Sequence, residues 1–168
     1  MNRTTRIPIE HVVVTSNQRY QQVIDALEAR LGTRENQEAI VQLLLAPNTS
    51  WEQITRTVEE HSGSSGFTLF SKVDHGLLLS RRGKNSRATQ YTLGNPLLAL
   101  QMTSHLPETG LYAPLRLIVY EDEEGRTFVA YDSFSSQMAQ YGNEEILRVA
   151  QMVEQKLEAL VVAVTTVG

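Results

Sequence analysis

The chain has 168 residues, 41% of them hydrophobic and 20% charged, and a formal net charge of −4. That balance belongs to a soluble globular chain able to bury a core unaided, and it gives no electrostatic pull toward nucleic acid or an anionic membrane. The absence of cysteine excludes disulfides, thiolate metal sites and thiol catalysis. The opening MNRTTRIPIEH lacks an apolar signal core, and no run approaches the roughly 20 apolar residues of a membrane span. A cytoplasmic protein is expected, with residues 1–168 forming one domain.

In chain order, Ile9 to Thr15 reads as a first strand whose unbroken valines suggest a central, buried position. Ser16 or Asn17 is placed to cap a helix carrying Tyr20, Val23, Ile24, Leu27 and Leu31 at helical spacing, with Gly32 at its end. Asn36 to Ala46 gives a second helix stopped by Pro47. Ser50 with Gln53 forms a capping box for a third, with Trp51, Ile54 and Val58 as its apolar stripe. Gly63-Ser64-Ser65-Gly66 is a flexible connector, too short for a domain linker, before a strand over Phe67 to Val73. Leu77 to Leu79 could extend a strand, followed by a basic loop over residues 81–87. Ala88 to Leu93 reads as a strand and Leu97 to Ser104 as a short helix. Leu115 to Tyr120 and Thr127 to Tyr131 flank a polar turn and make an antiparallel hairpin. Asn143 caps a last helix with Glu144 and Glu145 in its first turn and a stripe through Ile146, Val149, Val153, Leu157 and Leu160.

This pattern predicts an α+β fold: two layers, a mainly antiparallel sheet with helices packed on one face, and additional helices toward the amino end. In the first hairpin strand, Leu115, Leu117 and Val119 share one face and Arg116, Ile118 and Tyr120 the other. Ile118 and Tyr120 put apolar surface where a one-sided sheet would be polar. The second face is therefore expected to meet a ligand, a second subunit or a further element.

The strings Phe67-Thr68-Leu69-Phe70-Ser71-Lys72-Val73-Asp74-His75-Gly76, Leu93-Gly94-Asn95-Pro96, Pro114 to Asp122 and Ala130-Tyr131-Asp132 occur in an order that resembles the bacterial and archaeal family known as domain of unknown function 302. The resemblance runs from about Trp51 to the carboxyl end, with Val12 to Thr15 and its helix similar to the family's opening. It implies a TATA-binding-protein-like fold, often dimeric, without a settled activity. Residues 33–50 are extra helical sequence relative to the short family form.

Four residues are the candidates for ligand binding: His75, Asn95, Arg116 and Tyr131. His75 can titrate near neutrality or act as a base, although adjacent Asp74 would point to the opposite face of a strand. The ordinary reading of the pair is a strand-ending turn. Asn95 followed by proline is favoured helix-start chemistry, with anion binding at the exposed helix end as the sharper reading. Arg116 among apolar neighbours calls for a carboxylate: Asp74, Asp132, one from a second subunit, or a small acidic ligand walled by Tyr91, Tyr120 and Tyr131. Ile118 and Tyr120 are the candidate dimer or second-face residues. The basic cluster Arg81, Arg82, Lys84 and Arg87 reads as a solvated loop. The acidic turn lacks a calcium-loop pattern, and the spacing of the four histidines gives no zinc site. No cofactor, metal, nucleic acid or membrane partner is expected. The leading reading is a homodimeric small-molecule-binding or regulatory domain; the alternative is an enzyme using His75 and Arg116 on an acidic or carbonyl metabolite.

Overall fold

A computed structural model of the chain describes Asn2 and residues 4–166. Five strands form one antiparallel sheet: β1 (His11–Thr15), β2 (Thr68–Asp74), β3 (Ala88–Gly94), β4 (Leu115–Glu121) and β5 (Thr127–Asp132), in the spatial order β1-β5-β4-β3-β2. The period-two alternation of β4 sorts the two faces. Leu115, Leu117 and Val119 are buried, and Val129 and Tyr131 stand beside Val119 and Leu117 in register. Over this face lie α1 (Tyr20–Glu28) and α7 (Glu144–Thr165), which contribute Val23, Ile24 and Leu27, and Ile146, Val149, Val153 and Leu157, to the core. The same layer continues through α2 (Arg34–Leu45) against β2, α3 (Trp51–His61) against α2, and α5 (Pro96–Thr103) and α6 (Phe134–Met138) against α7. A short helix, α4 (His75–Ser80), follows β2, and a 3-10 segment over Pro107–Tyr112 precedes β4. No helix among the described residues is long and apolar enough to cross a membrane.

The hairpin, the last helix with its Asn143 cap, and the Ser50–Gln53 capping box stand as the sequence predicts. Several expectations are corrected. β1 is an edge strand, not a central one, because it pairs with β5 alone; its valine run divides into Val12 and Val14 on the core side and an exposed Val13. Ser16 does not cap α1: its hydroxyl accepts from Gln18 N and donates to Thr165 O, fastening the β1–α1 turn to the end of α7. Leu77 to Leu79 are helical, because the Asp74 carboxylate accepts from Leu77 N at 3.2 Å and so ends the strand by starting a helix. Trp51 belongs to no buried stripe and is 59% exposed. The serine-glycine connector is pinned rather than loose: Ser65 N and Oγ both donate to Arg30 O, at 3.1 and 2.8 Å.

The register also sets out the second face of the sheet. One row of neighbouring residues crosses it as Val13, Ala130, Ile118, Gln90 and Val73, and the next as Thr15, Phe128, Tyr120 and Ala88. Tyr120 stacks on Phe128 with centroids 5.3 Å apart, which leaves it and Ile118 half-buried while Val13 and Val73 are exposed.

Candidate functional site

The four ligand-binding candidates do not converge. His75 opens α4 at the end of β2 and is exposed. Arg116 sits opposite Thr92 on β3, three residues along that strand from Thr89, the partner of Asp74. The Arg116 side chain is exposed and forms no ion pair or hydrogen bond among the described residues; Asp132 is engaged instead by His11 Nδ1 at 2.8 Å, and Asp74 by the start of α4. The notch holding Arg116, Asp132 and Gln137 measures about 40 Å³, room for about one water molecule rather than a metabolite. Tyr131 lies on the opposite, buried face, where burial and then the nearby Glu158 and Glu154 raise its pKa. The walls drawn from Tyr91, Tyr120 and Tyr131 are likewise split, since Tyr91 and Tyr131 point to the core and Tyr120 away from it.

Asn95 alone borders a substantial cavity. Its side-chain oxygen accepts from Leu97 N and Leu98 N at 2.9 and 3.3 Å, and its amide nitrogen donates to Gly66 O at 3.0 Å. The helix-start amides that would have received an anion are thereby occupied. Beside it a cleft of about 290 Å³ opens between α2 and α5. Ile40, Val41 and Leu44 form the α2 wall, Leu98 and Met102 the α5 wall, and Phe67 and Phe70 of the β2 region the floor. Gly94 matters here for space: a Cβ on it would stand 3.2 Å from Phe70 and 3.3 Å from Pro114, both of them lining residues. The sequence signal for this cleft is the excess of apolar residues in α2. Of its five aliphatics between Ile40 and Leu45, Ile40 is the one fully buried, and Leu44 and Leu45 remain 52% and 74% exposed.

A second cluster escaped the sequence reading. Glu28 of α1 accepts from Tyr91 Oη at 2.6 Å and from Lys72 Nζ at 2.5 Å, and Tyr20 Oη lies 2.6 Å from Thr89 Oγ1. These groups stand 44 to 69 positions apart, so no local motif announces them. Burial, the hydrogen bond to Glu28 and the charge of that carboxylate push the Tyr91 pKa far up. Tyr91 is thus a committed proton donor, which suits fastening α1 to β3 and does not suit base catalysis. No group of three or more His, Asp or Glu among the described residues is arranged to hold a metal ion. Ser133 caps α6 by accepting from Ser136 N, and Ser135 donates to Glu154, so the serines after the hairpin hold a turn rather than forming a nucleophile with a base.

Comparison with known proteins bears on the fold and the family. The family model described as "Domain of unknown function DUF302" matches residues 45–164. Among solved structures, the chain is similar to the crystal structure of an uncharacterized conserved protein DUF302 from Bacillus stearothermophilus, at 15% identity and a TM-score of 0.63, covering 91% of this chain and 96% of that one. No curated protein matches.

Proposed function

The chain belongs to the DUF302 family, and on that premise we propose that it is a small-molecule-binding domain whose ligand occupies the cleft between α2 and α5. The observation that carries this reading is the cleft itself: about 290 Å³, walled by two helices, floored by aromatic rings and edged by a few polar groups. Scattered as they are, His75 and Arg116 lend no support to a joint catalytic role. A thermal-shift screen of small metabolites tests the proposal, run on the native chain and on Val41→Trp, which fills the rim. A ligand at about one hundred times its Kd stabilises the folded state by about 2.7 kcal/mol, and the variant is expected to abolish that shift. Hits that survive Val41→Trp unchanged would place binding elsewhere and end this reading.

Self-association through the open sheet face is the second component of the proposal. It is supported by the half-buried Ile118, Tyr120 and Phe128 between the exposed Val13 and Val73. An apolar strip of this kind gains by meeting its own copy about a twofold axis. Light scattering coupled to gel filtration at micromolar concentration is expected to give twice the mass of 18.9 kDa.

A further inference from the structure

We infer that the ligand of this cleft is uncharged and mostly hydrocarbon, about a dozen carbon atoms in all with at most one polar group, which rests on the small-molecule reading above. This class differs from the acidic ligand that Arg116 suggests from sequence, and three observations lead to it.

The first is charge. No charged side chain among the described residues lines the cleft, and a carboxylate taken from water into such a site without a partner is strongly disfavoured. The nearest amides that could have compensated an anion, those of Leu97 and Leu98, already point at Asn95 Oδ1.

The second is the polar inventory. The Asn95 amide is engaged at both its oxygen and its nitrogen, and Thr68 Oγ1 is directed at His61 O at 3.5 Å. Gln37, half-buried in α2 and lining the same cleft, has a side-chain amide with no partner among the described residues. One hydrogen-bonding group on the ligand is therefore served, at the Gln37 end, and a second acceptor held deeper in the cleft would find no free side-chain donor.

The third is size. An apolar cavity of about 150 Å³ accepts benzene. A cleft of about 290 Å³ has roughly twice that room, which suits a ten- to twelve-carbon chain or two fused rings. Such a body would also cover the Val41 and Leu44 side chains that α2 leaves 36% and 52% exposed.

The test is calorimetric titration of the full chain with 1-decanol, 2-naphthol and sodium decanoate at pH 8, below any micelle concentration. One of the two neutral compounds is expected to bind about tenfold or more tighter than decanoate, the alcohol if the site suits a chain and the naphthol if it suits fused rings. Binding should disappear in Val41→Trp and in Ala99→Trp, the second variant guarding against a folding defect in the first; circular dichroism reports on folding in both. Gln37→Ala should weaken 2-naphthol while leaving naphthalene unchanged. Decanoate binding as tight as the neutral compounds, and lost in Val41→Trp, would overturn the ligand class and leave the cleft reading intact. The same holds if none of the three binds while a charged metabolite from the screen does so in a Val41-dependent way. If neither the three compounds nor the screen gives any Val41-dependent binding, both readings fail together.

Discussion

Thr127 pairs with Glu121 next to the hairpin turn, with its hydroxyl buried and no hydrogen-bond partner among the described residues. Such a group carries its desolvation cost uncompensated, and an apolar replacement of the same shape removes that cost. Thr127→Val is expected to raise stability by about 1 kcal/mol, read as a higher denaturant midpoint with an unchanged slope. At the hairpin tip, Asp122 accepts from the amides of Glu124 and Arg126 and from the Arg126 guanidinium at 2.7 Å. Burial of the carboxyl works against ionisation, but the Arg126 amide and guanidinium outweigh it and hold its pKa below the ordinary aspartate value. Because the folded-state pKa is the lower one, the contribution of Asp122 is present above the unfolded-state pKa and is lost as pH falls through the folded one. Carboxyl carbon shifts followed by NMR should show Asp122 titrating at lower pH than a free aspartate, and Arg126→Ala should move it upward. The tip was legible in sequence as a polar turn. That one of its four acids organises the turn was not, because neighbouring carboxylates look alike until the backbone aims amides at one of them.

At the scale of elements, the hinge of the fold is a backbone crossing. Gly32, just past α1, and Gly63, just past α3, approach so closely that a Cβ on Gly32 would sit 2.0 Å from His61 O and one on Gly63 2.2 Å from Arg30 O. Both glycine amides donate to Phe67 O, at 2.8 and 3.0 Å, and Leu69 N donates to Gly32 O. This knot fixes where β2 begins and how α2 leaves for the cleft. Gly32→Ala is expected to cost about 3 kcal/mol, seen in thermal unfolding, with loss of cleft binding in step. From sequence Gly32 is a helix stop and Gly63 part of a flexible connector. Neither role mentions the other glycine, since they stand 31 positions apart and the contact exists only once α3 has folded back. The α4 helix makes the same point locally: three consecutive leucines are compatible with strand or helix, and the Asp74 side chain decides for helix by taking the Leu77 amide.

For the whole molecule, the sheet separates two apolar problems. One face is closed by α1 and α7; the other carries Val13, Ile118 and Val73 on one row across all five strands, with Val13 and Val73 exposed at its two ends. Ile118→Glu places a charge in the middle of that strip. If two copies meet there, the variant should run as a monomer at concentrations where the native chain is dimeric, with circular dichroism unchanged. A native chain that is itself monomeric, or a variant that stays dimeric, would remove the sheet face as the interface. The cleft lies on the helical side, so the two surfaces are separable, and Val41→Trp should leave the mass unchanged.

What the sequence by itself determined is whatever rests on local periodicity and capping: the hairpin, the amphipathic α1 and α7, the caps at Ser50, Asn95 and Asn143, and the ordered strings shared with the family. Period-two alternation in β4 even announced that Ile118 and Tyr120 would share a face apart from the core. What only the tertiary structure decided is which side chains meet. His75, Asn95, Arg116 and Tyr131 each look chemically suggestive alone, yet strand pleat and helix placement send them to different faces and ends of the sheet. The cleft, conversely, is assembled from plain aliphatic and aromatic residues of α2, α5 and β2, whose one distinguishing property is a vacancy between them, and a vacancy is a relation among distant segments that no single stretch of chain encodes.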